Sequence, residues 1–147
     1  MSKKIEFLYL SREDCDNAGV SDMKTAIEIY EETLRAQSRG EVLLPKRAYL
    51  ETNRGNKRMV AIPAYVSGAN ETLGLLWMTN FLGNPVKYNL PRAIGFFALH
   101  DTSTGVPLAL MDCSIFNANA TGAMVGTAAK YLAKQDSRIV AIIGTGH

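Results

Sequence analysis

The sequence lacks the features that mark several classes of protein. It has two cysteines, no CxxC pair and two histidines that do not lie at metal-ligand spacing from them, so we expect neither a disulfide framework nor a bound metal. Charged residues make up 20% of the chain and the net charge is +2, which argues against a nucleic-acid partner. No apolar run approaches the roughly 18 residues that span a bilayer, and the N-terminal MSKKIEF has no signal-peptide core. We therefore expect a cytoplasmic protein without a membrane partner.

The two cysteines, Cys15 and Cys113, are far apart in the sequence. We interpret them as reduced thiols, and a nucleophile or a ligand is the less favoured alternative. A hydrophobic content of 47% over 147 residues is enough for one globular domain with a core.

Hydrophobic periodicity and turn residues predict the order of the elements. A strand (5–10) precedes a short helix that a capping box opens at Ser11 and Gly19 ends. A second helix begins after Ser21 as its cap and stops at Gly40. Strands are predicted at 42–44, 46–51, 58–66, 73–81, 93–101 and 106–112, with hairpin turns at 53–57 and 102–105. A helix at 118–134 and a final strand at 139–143 complete the prediction of an α+β domain with a mainly antiparallel or mixed sheet and flanking helices.

The last stretch, RIVAIIGTGH, joins a β-branched run to Gly-Thr-Gly. This is how the first strand and phosphate turn of a dinucleotide-binding βαβ unit begin, because Gly144 and Gly146 permit a tight turn and close approach of a pyrophosphate. The spacing alone is a weak signal, and an ordinary glycine-rich tail after a buried strand is the alternative.

The order of motifs along the whole chain is more specific. In sequence they are FLYLSREDC, MKTAIEIYEETLRAQSRGE, LPKRAYLE, RMVAIPAY, GLLWMTNFLGN, NLPRAIGFFALHDTSTGVPLALMD, TGAMVGTAAKYLAKQDSR and IVAIIGTGH. This collinear set resembles the N-terminal half of the ornithine cyclodeaminase and mu-crystallin family.

The resemblance implies a substrate-binding and dimerisation domain at 1–116, a connecting helix at 117–137, and only the first strand and GxG turn of a Rossmann NAD(P) domain at 138–147. It also implies that about half of a full-length member is absent. Members are homodimers that use NAD or NADP on small amino or imino acids, by cyclodeamination (a lyase reaction), amino-acid dehydrogenation or imine reduction. All these reactions can be written as hydride transfer at the carbon–nitrogen bond next to a carboxylate.

The resemblance also assigns roles to residues. Arg47, in LPKR, matches the arginine that grips the substrate carboxylate, a task suited to its planar fork; an exposed strand charge is the alternative. Thr121 matches the segment beneath the nicotinamide cleft, and Gly144 and Gly146 match the phosphate turn. No metal site is implied.

Two positions depart from the family pattern. Leu76, in GLLW, stands where members carry a lysine, and Ala120, in NATG, stands where they carry an arginine. Neither side chain can hold a carboxylate or polarise an imine. The family's acidic catalytic residue has no counterpart in these 147 residues, so the catalytic residues are unknown.

Three further polar residues have both a functional and a structural interpretation. His100 is an acid–base candidate, although a histidine beside Asp101 at a strand end is more often structural. Asn84 and Asn119 are candidates for substrate hydrogen bonds, with turn and cap chemistry as the alternative.

The sequence therefore supports two hypotheses about function. The first is an NAD(P)-dependent amino- or imino-acid enzyme with an atypical site, in which a C-terminal partner polypeptide or further sequence supplies the nucleotide half. The second is a non-catalytic, mu-crystallin-like dimeric binding module. In either case we expect these 147 residues alone to be inactive and to bind nucleotide weakly, because no helix N-terminus follows the glycine turn.

Overall fold

The computed structural model describes residues 4–52 and 55–144. These residues form one mixed sheet with helices packed against it. The strands are β1 (Leu8–Leu10), β2 (Val42–Leu43), β3 (Ala48–Glu51), β4 (Lys57–Val66), β5 (Thr72–Phe81), β6 (Ala93–His100) and β7 (Pro107–Asp112). The helices are α1 (Arg12–Asn17), α2 (Met23–Ser38), α3 (Asn84–Tyr88) and α4 (Ser114–Leu132).

The sheet has the strand order β1-β7-β6-β5-β4-β2, and β3 pairs with the other end of β4. Only β1, which runs parallel to β7, departs from antiparallel pairing among these strands. The long pair β4–β5 and the hairpin β6–β7 form its centre. The prediction of an α+β fold with a mainly antiparallel, mixed sheet is thus confirmed.

Side-chain alternation gives this sheet two distinct faces. The helix face carries Leu76 and Phe97, which are register partners, and Phe97 packs against Phe116 of α4 with ring centroids 5.4 Å apart. The outer face carries Trp77, whose ring stacks on that of Phe96 at 6.4 Å. Large apolar side chains remain exposed on this outer face, among them Leu50, Trp77 and Ile94.

The strand predictions have the right order but differ at their ends. β1 covers only the last three of its six predicted residues, because only Leu8–Leu10 pair with β7. β2 and β3 are likewise shorter than 42–44 and 46–51, since their backbone pairs with β4 only over Val42–Leu43 and Ala48–Glu51. The predicted turn at 53–57 lies between paired strands, although residues 53 and 54 fall outside the described part.

Capping explains where the first two helices begin. Ser11 and Asp14 form the predicted capping box of α1, with the Ser11 amide donating to Asp14 Oδ2 at 2.8 Å. The cap of α2 is Asp22 rather than the predicted Ser21, because the Asp22 carboxylate accepts from the Lys24 amide at 3.1 Å, while the Ser21 hydroxyl donates to Asp16. Gly40, at φ 77°, follows the end of α2 as predicted.

Two helical features were not predicted correctly. Helix α4 begins at Ser114, four residues before the predicted start, since Asp112 Oδ1 accepts the Ser114 amide at 2.8 Å and so stabilises an earlier first turn. Helix α3 was missed because its five residues lie between turn-forming residues and contain too little periodicity to detect. Its C-cap is Asn89, which adopts a left-handed conformation (φ 52°).

Helices α2 and α4 pack closely against each other through the small residues of α4. A Cβ at Gly126 would lie 2.8 Å from Ile27 Cδ1, and one at Gly122 would lie 3.1 Å from Met23 Cε. The two glycines therefore allow an approach that a larger residue would oppose. The contact of Phe116 with Phe97 joins α4 to the helix face of the sheet.

The predicted last strand, 139–143, is not formed in this structure. Ile139, Val140, Ile142 and Ile143 are 70–102% exposed, and residues 138–144 have no strand assignment. A strand requires a hydrogen-bonding neighbour, and no described strand lies beside this segment. Its assignment as the start of a Rossmann domain stays a prediction.

Candidate functional site

Leu76 occupies the centre of the helix face. On β4 its register partner is Ile62, on β6 it is Phe97, and Phe97 in turn pairs with Met111 of β7. We call Ile62, Leu76, Phe97 and Met111 the Leu76 row. All four side chains are half-buried, so they form a partly accessible apolar floor.

Extending the register of β3 by one residue puts Arg47 near the end of this row. It directly precedes β3, in which Ala48 is the register partner of Ala61. Continuing the antiparallel register by one residue places Arg47 opposite Ile62, two strand spacings or roughly 10 Å from Leu76. Arg47 is exposed, and the same alternation assigns it to the helix face. The geometry thus brings Arg47, the predicted carboxylate-binding residue, to the level of Leu76.

Helix α4 brings Ala120, the second position that departs from the family pattern, to the same region. Phe116 contacts Phe97 in an edge-to-face arrangement, with an angle of 69° between the rings. Ala120 follows Phe116 by four residues, one helical turn further on the same side of α4, and it is exposed. Leu76 and Ala120 therefore flank the same aromatic pair although 43 residues separate them in the chain.

Of the three residues assigned to cofactor binding, Thr121 and Gly144 belong to the described part of the chain. The Thr121 hydroxyl donates to the Asn117 carbonyl at 2.7 Å, which leaves its oxygen as an acceptor on an exposed part of α4. Gly144 has φ 85°, and an added Cβ there would meet nothing within 4 Å. That open, glycine-compatible backbone fits the close approach of a phosphate. Gly146 lies outside the described residues.

The three polar candidates have hydrogen-bond partners within the fold. His100 Nδ1 lies 3.1 Å from the carbonyl of Gly105, across the turn of its own hairpin. Asn84 Nδ2 donates to the Pro91 carbonyl at 3.1 Å. Asn119 Nδ2 donates to the Val20 carbonyl at 2.8 Å and so attaches α4 to the loop before α2. None of the three belongs to the Leu76 row.

Burial explains the state of the two thiols. Cys15 and Cys113 are free, with exposed fractions of 1% and 2%. Burial raises the pKa of both thiols, and nearby Asp112 adds a repulsive charge that raises the pKa of Cys15 further. An activated nucleophile needs a lowered pKa, so neither cysteine has the electrostatic environment of one.

A buried carboxylate joins the two long helices beside the site. Glu31 of α2 is only 8% exposed, and Lys130 Nζ of α4 donates to its Oε1 at 2.6 Å. Arg35 lies 3.5 Å from the other carboxylate oxygen. The hydrogen bond from Lys130 lowers the pKa of Glu31, with a smaller attraction from Arg35. This ion pair helps to fix α4, and with it Phe116, relative to the rest of the fold.

The described residues contain neither a metal-binding cluster nor a membrane-spanning helix. No group of three or more His, Cys, Asp or Glu residues among them could hold a metal ion. No helix in that part of the chain is long and apolar enough to cross a membrane.

Sequence reasoning missed the aromatic contact between Phe97 and Phe116, because the predicted helix began after Phe116. The available signal was Asp-Cys-Ser at 112–114, an aspartate placed to cap a helix that starts two residues later.

Comparison with known proteins identifies the family. A model of the ornithine cyclodeaminase/mu-crystallin family matches residues 11–147. The chain belongs to this family. Among its curated relatives, N-((2S)-2-amino-2-carboxyethyl)-L-glutamate dehydrogenase of Staphylococcus aureus is 32% identical over 145 residues, which are 96% of this chain and 43% of that protein. Alanine dehydrogenase of Archaeoglobus fulgidus is 36% identical over 142 residues, 97% of this chain and 42% of the relative.

Solved structures give the same result. Delta(1)-pyrroline-2-carboxylate reductase of Thermococcus litoralis, in complex with NADH and L-proline, superposes with a TM-score of 0.86 at 35% identity, covering 95% of this chain and 42% of that one. An archaeal alanine dehydrogenase dimer with bound NAD has a TM-score of 0.80 at 34% identity and covers 89% and 38% of the two chains. The chain thus spans about two fifths of the length of these family members.

Proposed function

We propose that this chain is the substrate-binding part of an NAD(P)-dependent enzyme that acts on a small amino or imino acid. The reaction would be hydride transfer at the carbon–nitrogen bond next to the carboxylate, as dehydrogenation, imine reduction or cyclodeamination. Family membership gives the class of reaction. The observation that carries the proposal to these residues is the register of β3, which pairs Ala48 with Ala61 and, extended by one residue, would put Arg47 level with the Leu76 row.

Each part of the chain has a role in this proposal. Arg47 would bind the substrate carboxylate through two parallel hydrogen bonds, and the apolar row would hold the rest of the substrate away from water. Thr121, Gly144 and Gly146 would hold the nucleotide, which when bound supplies or accepts the hydride. Residues 1–116 would be the substrate-binding and dimerisation domain, 117–137 the connecting helix and 138–147 the start of the nucleotide domain.

We further propose that two copies pair through the outer face of the sheet. Leu50, Trp77 and Ile94 on this face are 64%, 37% and 42% exposed, and apolar surface of this kind favours a protein partner. The archaeal alanine dehydrogenase relative is a dimer. Trp77→Asp should give a monomer in analytical ultracentrifugation, whereas Val86→Asp, at a 91% exposed position of α3, should leave the dimer intact. A Trp77→Asp dimer of unchanged affinity would rule out this face.

A non-catalytic binding module is the second candidate function. It is favoured by Leu76 and Ala120, because neither side chain can donate a hydrogen bond or stabilise a developing charge. In that case the fold would keep the carboxylate-binding end of the row without assisting the chemistry.

Turnover by the protein isolated from its source distinguishes the two candidates. Its intact mass is measured first, to show whether further sequence accompanies these 147 residues. NAD(P)H formation or oxidation is then followed with a panel of amino and imino acids. Arg47→Met should lower kcat/KM about 10- to 100-fold through the lost charged hydrogen bonds, while Arg92→Met, a second exposed arginine, should not. Bound nucleotide without turnover on any member of the panel would favour the binding module.

A further inference from the structure

The Leu76 row continues into apolar surface on both sides. The neighbouring levels of the helix face lie two residues along each strand, and the register partners there are Val60, Met78 and Gly95 on one side and Ala64, Gly74 and Leu99 on the other. The nearest charged residue on this face of β4 is Arg58, four residues or roughly 13 Å from Ile62. β5 and β6 contain no Asp, Glu, Lys or Arg, and Asp112 of β7 is the register partner of Phe96 on the outer face. The central strands therefore offer no charged partner near Leu76.

Helix α4 does not supply one either. From Ser114 to Ala129 it contains no charged residue, and Lys130, its first, is engaged with Glu31 at 2.6 Å. Asn119 and Thr121, the polar residues next to Ala120, donate to the carbonyls of Val20 and Asn117. In the edge-to-face contact one phenyl ring presents its edge to the face of the other. That face is therefore occupied and is not open to a cation.

The floor of the site thus has a cation at one end and apolar groups elsewhere. From this asymmetry we infer that the site takes an amino or imino acid with one carboxylate and an uncharged, apolar side chain, and that Leu76 determines this preference. The inference rests on the proposed function for the location of the site and extends it to the class of substrate. Diamino acids and dicarboxylates are disfavoured.

The physical reason is desolvation. A carboxylate that pairs with Arg47 extends the rest of the molecule along the row toward Leu76 and the aromatic pair. A second ammonium or carboxylate there would lose water without gaining a hydrogen-bond partner, and this should weaken binding about tenfold or more. An apolar ring would instead gain from leaving water.

Binding of three probes to the 147-residue chain tests the inference. The probes are pyrrole-2-carboxylate, which has one carboxylate and an uncharged ring, L-ornithine, with a second ammonium, and L-glutamate, with a second carboxylate. NMR of ¹³C-methyl methionine reports the location: Met111 belongs to the Leu76 row, Met78 lies one level away, and Met59 lies on the outer face as the internal control. We expect pyrrole-2-carboxylate to shift Met111 but not Met59, and to bind at least about tenfold more tightly than the other two.

Two variants assign the preference to Leu76. Leu76→Lys should strengthen glutamate binding and remove the advantage of pyrrole-2-carboxylate, while Leu76→Met, which conserves volume and apolar character, should preserve the wild-type order. If the lysine variant does not fold, Ala120→Arg, at an exposed position, introduces a cation on the opposite wall and should have the same effect.

Ornithine or glutamate binding as tightly as pyrrole-2-carboxylate at Met111 would overturn the inference while leaving the proposed function intact. An unchanged order in both cationic variants would show that Leu76 does not determine the preference. No shift of Met111 with any probe would overturn the inference together with the proposed location of the site. A shift that persists in Arg47→Met would contradict the role of Arg47 alone.

Discussion

Replacing Gly95 by alanine should strongly destabilise the sheet beneath the candidate site. Gly95 lies on β6 opposite Met78 of β5, and an added Cβ would lie 2.1 Å from the Trp77 carbonyl oxygen and 2.7 Å from Met78 Cα. Ordinary contacts between carbon atoms are about 3.5–4.0 Å. Because the opposing atoms belong to backbone, no change of rotamer can relieve the overlap, and the two central strands must separate.

The cost can be estimated from its parts. Overpacking typically costs about 1–3 kcal/mol, and two strained strand hydrogen bonds would add about 1–3 kcal/mol. Replacing glycine by alanine in a strand offsets about 0.5–1 kcal/mol of this cost. The net loss in free energy of unfolding is therefore about 3 kcal/mol. With an unfolding entropy of about 2.1 cal/mol/K per residue over 147 residues, the melting temperature should fall by about 10 °C.

Thermal unfolding followed by circular dichroism measures this change. The matched control is Gly83→Ala at the start of α3, where φ is −82° and the nearest contact of a Cβ is the flexible Lys87 side chain at 3.5 Å. That variant should be neutral or stabilised by up to about 1 kcal/mol. A fall of less than about 3 °C for Gly95→Ala would refute the reasoning, since it would mean that β5 and β6 absorb a methyl group without separating.

Three further predictions concern stability and reactivity. The lowered pKa of Glu31 contributes stability that is present above its ordinary pKa of 4.5 and lost as the pH falls through the folded-state value. In Lys130→Met the melting temperature should therefore fall less between pH 5 and about pH 3 than in wild type. The same dependence of melting temperature on pH in both proteins would contradict this. Asn119→Ala should cost about 1 kcal/mol in urea unfolding through loss of the bond to Val20, and a neutral result would mean that water replaces the amide. Cys15 and Cys113 should react with a thiol reagent only after unfolding, because they are buried and their pKa values are raised; rapid labelling of the folded chain would disprove it.

Local patterns were sufficient for most of the fold. The capping box at Ser11, the stop at Gly40 and the hairpin of β6 and β7 were predicted correctly, because caps and turns depend on a few neighbouring residues. The family and its NAD-binding relatives were also predictable from the order of motifs. The errors fall on very short segments and at the ends of elements, as at α3, the extent of β1, and the start of α4, where the local cap by Asp112 was overlooked.

The last segment is the clearest case of a local pattern that does not decide structure. Ile139 to Ile143 have the composition of a buried strand, yet Ile143 is fully exposed in this chain. β-branched composition favours a pleated, half-buried surface, but such a surface exists only where a neighbouring strand supplies the hydrogen bonds.

What the sequence by itself determined is the order of the paired strands and of the longer helices, the family, and the identities of Arg47, Leu76 and Ala120. Only the tertiary structure supplied the register of β3, which extended by one residue brings Arg47 level with the Leu76 row, and the contact of Phe116 with Phe97, one helical turn before Ala120. Strand register is set by pairing between residues far apart in the chain, and a shift of one residue would move each side chain to the opposite face. The apolar character of the site therefore depends on register and helix packing, which periodicity within a single segment does not specify.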